Sequence, residues 1–130
     1  MYRYIQAYNY ASSNQTREYD DAAAYIYNQV VDIFNSIYWN NKLSRRVNFG
    51  VDRRVGIVGI QFDNWYMMDY HQFYQAIKDA FADLDEFSDD LIKITSVVNG
   101  KRPNGDASSV VTAFFTLDYI SQLADELKIT

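Results

Sequence analysis

No cysteine occurs in the 130 residues, which excludes disulfide scaffolds, zinc ribbons, iron–sulfur clusters and thiol nucleophiles. A single histidine leaves no imidazole pair for a metal, and the carboxylates do not follow EF-hand spacing, so neither a metal nor a cofactor is expected. No stretch approaches the ~20 apolar residues of a membrane span, so no membrane partner is expected. The opening residues MYRYIQAYNYASS hold no continuous apolar run of the secretory type. With a Met1 start and no cysteine, the expectation is a cytoplasmic chain, or one acting in a host cytoplasm if phage-encoded. The sequon at Asn14-Gln15-Thr16 is therefore read as chance.

What is present is enough for a core. Hydrophobic residues make up 48% and charged residues 22%, which points to one compact domain over 1–130. The net charge of -5 rests on fourteen aspartates and three glutamates, short stiff acids suited to caps and turns. That sign disfavours non-specific adhesion to DNA or anionic lipid.

Periodicity supplies the elements. Residues 2–10 alternate with Tyr2, Tyr4, Tyr8 and Tyr10 on one side, which predicts a tyrosine-faced strand. From about Thr16, Ala23, Ile26, Val30, Ile33 and Ile37 recur at helical spacing up to Asn40-Asn41, with Asp20 and Asp21 in the first turns. Arg45–Val51 and Val55–Phe62 predict a hairpin around Asp52-Arg53-Arg54, with Gly50, Gly56 and Gly59 marking a bulge or a close backbone approach. Asp69 and Gln72 form a capping box before a helix with Phe73, Ile77, Ala80, Phe81 and Leu84 inward, and Met68 and Phe73 form its staple. Leu91–Val98 and Ser108–Phe115 are strands around a turn at Pro103, and Thr116 caps a last helix. The expected class is α+β in two layers, an antiparallel sheet of about five strands with three helices, ordered β-α-β-β-α-β-β-α.

Three clusters are candidates for function. Asp79, Asp83, Asp85, Glu86, Asp89 and Asp90 place six acids in twelve residues, with Asp79, Asp83 and Glu86 at i, i+4, i+7 on one predicted helix face. Such a row could imitate a nucleic-acid backbone toward a basic partner, or be a solvated face and nothing more. Trp65, Tyr66, Met67, Met68, Tyr70, Phe73 and Tyr74 crowd ten positions, and Tyr38-Trp39 closes the first helix. Phe73 reads as core, while Trp65, Tyr66, Tyr70 and Tyr74 are candidate anchors for a partner, of a type enriched at protein contacts. Lys42, Arg45, Arg46, Arg53 and Arg54 form a basic stretch whose forked arginines suit phosphate or carboxylate, or counter the chain's own acids.

His71 is the sole candidate acid–base group, and without a nucleophile pattern around it no catalytic residue is assigned. The expectation is a non-enzymatic protein-binding module, concretely a phage- or mobile-element-type inhibitor of a CRISPR or restriction nuclease. It would act through Asp79, Asp83, Glu86, Asp89 and Asp90 beside Trp65, Tyr66, Tyr70 and Tyr74. One alternative is a virion or adaptor subunit that assembles as a homodimer or larger homo-oligomer. Another is nucleic-acid binding through Arg45, Arg46, Arg53 and Arg54, disfavoured by the net charge.

Overall fold

The computed structural model describes residues 17–64, 68–101 and 107–129. A 3-10 turn at Arg17–Tyr19 leads into helix α1 (Asp20–Ile37), and strands β1 (Asn48–Asp52) and β2 (Ile57–Asn64) follow as a hairpin. Helix α2 (Tyr70–Ala82) precedes β3 (Leu91–Lys101), β4 (Ala107–Thr116) and helix α3 (Leu117–Ile129). The four strands form one antiparallel sheet in the order β1-β2-β4-β3, so the two hairpins join along β2 and β4. The fold is α+β, as the periodicities imply. The fifth expected strand, residues 2–10, lies outside the described residues, as does the turn at Pro103.

Alternation along the central strands decides where the helices sit. Register pairs Val58 with Phe115, Ile60 with Ala113 and Phe62 with Val111, and all six are buried in the cluster that takes the helical stripes. From α1 come Ile26, Tyr27, Val30 and Phe34, from α2 Phe73, Ile77 and Phe81, and from α3 Ile120, Leu123 and Ala124. Phe62 is the common neighbour: Tyr27 stacks on it at 5.0 Å, and Phe81 meets it edge-on at 6.0 Å. Aromatic pairs of this kind add about 0.5–1.5 kcal/mol beyond their buried area.

Caps and turns close as their residue types dictate. The Asp69 carboxylate accepts from the backbone N–H groups of His71 and Gln72, and the Thr116 hydroxyl accepts from that of Tyr119. Gly56 turns the first hairpin at a φ of 68°, where a Cβ would be strained. Gly59 permits a close approach across the sheet, since a Cβ there would lie 3.1 Å from the side chains of both Phe114 and Thr112.

Several boundaries differ from expectation. The first helix stops at Ile37, and residues 39–41 form a separate 3-10 turn. Arg45 and Arg46 precede β1 and do not belong to it. The second helix ends at Ala82, so the predicted helical row of Asp79, Asp83 and Glu86 is broken: Asp83 is its C-cap and Glu86 sits in a 3-10 turn at Asp85–Phe87. The chain has to come round to enter β3 at Leu91, and buried Phe87 pins that turn against Tyr25, Phe81 and Phe115.

Candidate interaction surfaces

The acids of residues 79–90 gather at the C-terminal end of α2 and in the turn beyond it. Asp79 is exposed and accepts from the Gln75 side chain at 2.8 Å. Asp83, Asp85, Glu86 and Asp89 are exposed, and Asp90 is half-buried. Glu86 accepts from the Tyr25 hydroxyl at 3.0 Å, which raises the tyrosine's pKa because ionisation would oppose the carboxylate. Burial, the largest cause, pushes Tyr119 up to about 12, and the charges of Asp90, Glu86 and Glu126 add to it. Tyr25, Tyr119 and Glu126 thus belong to the acidic neighbourhood, which no spacing along the sequence announces. Tyr25 and Glu86 stand 61 residues apart, and only the packing of α1 against the turn after α2 brings them together.

The sign of this charge is unfavourable where it stands. Helix C-termini carry partial negative charge, and an anion there costs a few tenths of a kcal/mol. Helix α3 has Asp118 in its first turn and Lys128 in its last, the latter standing against Asp125 and Glu126 near the same end. Helix α1 has Asp20 and Asp21 in its first turn. Helix α2 instead has no acid in its first turn, no base in its last, and aspartates at 79 and 83. Among the described residues, the salt bridges are Arg45 with Asp32, Arg53 with Glu18 and Arg54 with Asp52; none reaches the acids of 79–90.

The aromatic candidates part company with those acids. Tyr74 is half-buried, donates its hydroxyl to the Ile94 carbonyl at 3.2 Å, and lies under the Lys78 ammonium at 5.1 Å. It fastens α2 to β3. Tyr70 is half-buried with its ring 3.9 Å from that of exposed His71. Nine residues at about 100° each put Asp79 roughly half a turn round the helix from Tyr70. Trp65 and Tyr66 lie outside the described residues. The exposed apolar side chains include Trp39 (68%) and Ile37 (58%), at the end of α1. Tyr38-Trp39 was visible in the sequence as a helix terminus; that the indole faces outward was not.

The basic residues are largely engaged. Arg53 donates to Glu18 at 3.0 Å and to the Tyr19 hydroxyl at 3.3 Å, and its guanidinium lies 5.5 Å over the Tyr19 ring. Glu18 is held below the usual carboxylate range by that Arg53 bond. Arg45 pairs with Asp32 of α1, and Arg54 lies 3.6 Å from Asp52. Arg46 keeps an exposed side chain.

Between α1 and the sheet lies a cleft of about 350 Å³ lined by Tyr27, Lys42, Leu43, Ser44, Arg46, Asn48 and Asp63. Asn48 donates to Asp63 at 3.3 Å, and the Tyr27 hydroxyl donates to the Ser44 carbonyl at 2.9 Å. Burial, the largest cause, pushes Tyr27 up to about 12. Among the described residues no three His, Asp or Glu side chains converge as a metal site needs, and no helix is long and apolar enough to cross a membrane. Asp69, the carboxylate next to His71, is occupied by its capping bonds. Comparison with family models, curated proteins and solved structures finds no match to this chain.

Proposed function

We propose that this chain is a non-enzymatic binding protein whose acidic end, built from Asp79, Asp83, Asp85, Glu86, Asp89 and Asp90, covers a basic surface on a partner protein. One observation carries the reading: α2 ends in aspartates that its own dipole disfavours and that no described cation pairs with. Gln75 gives Asp79 one hydrogen bond, but no described cation offsets the negative charge at this helix end, which a cationic partner would. Asp79 and Asp83 rise about 6 Å along the helix, a step similar to that between successive phosphates on a nucleic-acid strand. A nucleic-acid-binding enzyme is therefore the partner class, and a restriction or CRISPR nuclease blocked by a phage-type inhibitor is its concrete form. The cytoplasm is where such an encounter takes place.

The breaking of the acidic row at Ala82 reshapes the surface. Its contact area becomes the end of α2 and the following turn, with Tyr25 and Tyr119 beside the carboxylates, in place of one long helix face. Biolayer interferometry against purified restriction and CRISPR nucleases tests it. Binding should weaken as salt rises and fall at least tenfold in the Asp79→Lys, Asp83→Lys, Glu86→Lys variant. Equal binding by the variant and the unaltered chain to every nuclease bound removes the proposal. Light scattering separates the assembly alternative, which requires a stable homo-oligomer.

A further inference from the structure

The segment 42–46 between α1 and β1 has no regular secondary structure, yet it is fastened at three successive residues by side chains of one helix. Asn35 clamps Leu43 from both sides, accepting from its N–H at 2.8 Å and donating to its carbonyl at 3.2 Å. Tyr27 holds the Ser44 carbonyl, and Asp32 holds the Arg45 guanidinium. Leu43 itself is buried in the core. A connector so held is ordered before any ligand arrives, which removes the loop-ordering part of the cost of binding.

The fastening leaves its two ends out. Lys42 and Arg46 flank the clamped residues, both are exposed, and neither side chain takes a partner among the described residues. With Ser44 between them they line the cleft, while Arg45, the intervening cation, is turned away to Asp32. The opposite wall is Asn48 and Asp63, joined by their hydrogen bond. One side therefore offers two cations and a hydroxyl to an anion. The other offers a carboxylate, which repels a bare anion but accepts hydrogen bonds from hydroxyl groups.

We propose that this cleft binds a phosphomonoester of a small polyhydroxylated molecule, a sugar phosphate or nucleoside monophosphate, with the phosphate on Lys42, Ser44 and Arg46 and the hydroxyls on Asp63 and Asn48. The volume of about 350 Å³ lies within the range of small-molecule pockets and suits one such ligand, not a polymer. This site is independent of the acidic end of α2 and of any protein partner there.

The test is an NMR titration of the full chain with ribose 5-phosphate, adenosine 5′-monophosphate, inorganic phosphate and ribose, at millimolar concentration. The two phosphate esters should shift the backbone amides of Ser44, Arg46 and Asn48 saturably, at least tenfold more tightly than inorganic phosphate or ribose. The exposed-site variant Lys42→Glu, Arg46→Glu should keep its dispersed spectrum and lose that response. Asp63→Asn should narrow the gap between the esters and inorganic phosphate. No saturable shift with either ester, or the same shift in the Lys42→Glu, Arg46→Glu variant, overturns the proposal.

Discussion

The two charged regions of this molecule are built on opposite plans. Along 42–54 most of the cations, though exposed, are paired with the chain's own acids: Arg45 with Asp32, Arg53 with Glu18 and the Tyr19 hydroxyl, and Arg54 with Asp52. Along 79–90 the acids are turned outward, at a helix end that would be steadier with bases. Dense clusters of charge in a sequence thus have different meanings. Ion pairing marks the first region as architecture, with the exceptions of Lys42 and Arg46; the second takes neutral hydrogen bonds from Gln75 and Tyr25 but no described cation, which marks it as a surface for something else.

The contrast presupposes a common support, and that support can be broken first. Phe62 is fully buried beneath both α1 and α2, so Phe62→Ala should cost about 3–5 kcal/mol and disturb the basic and acidic regions together. Urea denaturation gives the number. A loss under 1 kcal/mol would mean that the two regions do not share one core.

Alkaline pH presses on the α1 side of the same contact. Tyr27 has its folded pKa raised from 10.0 to about 12, so the unfolded chain loses its proton first. The sign follows: stability holds below pH 10 and falls between pH 10 and about 12, by up to about 3 kcal/mol from this residue. Denaturation midpoints measured across that interval in the unaltered chain and in Tyr27→Phe should converge as pH rises. Parallel curves would place the alkaline loss elsewhere, with Tyr119 as the next group to replace.

A smaller effect is expected where the basic segment is clamped. Asn35→Ala removes two hydrogen bonds to the Leu43 backbone and should cost about 1–2 kcal/mol. Hydrogen exchange at the Leu43 amide should rise more than in β2. Unchanged exchange there would show that Tyr27 and Asp32 suffice to hold the segment.

Much of this was legible in the sequence, for identifiable reasons. Helical stripes and strand alternation locate apolar side chains regardless of context, so the three helices and the two hairpins follow from Ile26-Val30-Phe34, Phe73-Ile77-Phe81 and Val111-Ala113-Phe115. The caps at Asp69 and Thr116 were equally local. What the sequence could not show was set by distant partners. Arg45 leaves the expected strand because Asp32 holds it, and Glu86 leaves the expected helix row within a turn anchored by Phe87. Nothing near Tyr74 in sequence announces the Ile94 carbonyl to which its hydroxyl donates. The cleft of Lys42, Ser44 and Arg46 depends on Asp63 across the hairpin, which no spacing rule joins to them.

The smallest effect bears most directly on the difference between the regions, because the two should respond with opposite signs. Arg53→Ala takes away an exposed ion pair and a ring contact, so the melting temperature should drop slightly, and lowering the pH should shrink the gap between it and the unaltered chain. Glu18 explains the pH effect: its folded pKa is depressed, so its contribution is present above the unfolded value and disappears as pH falls through the folded one. Asp83→Asn should do the reverse and raise stability by a few tenths of a kcal/mol, since it removes an anion from the C-cap of α2. A surface kept for binding can carry that unfavourable charge; a surface kept for stability has no use for it. If Asp83→Asn destabilises the chain instead, the acids of 79–90 are holding the fold together after all, and the distinction between paired architecture and unpaired surface fails at the residue where it is sharpest.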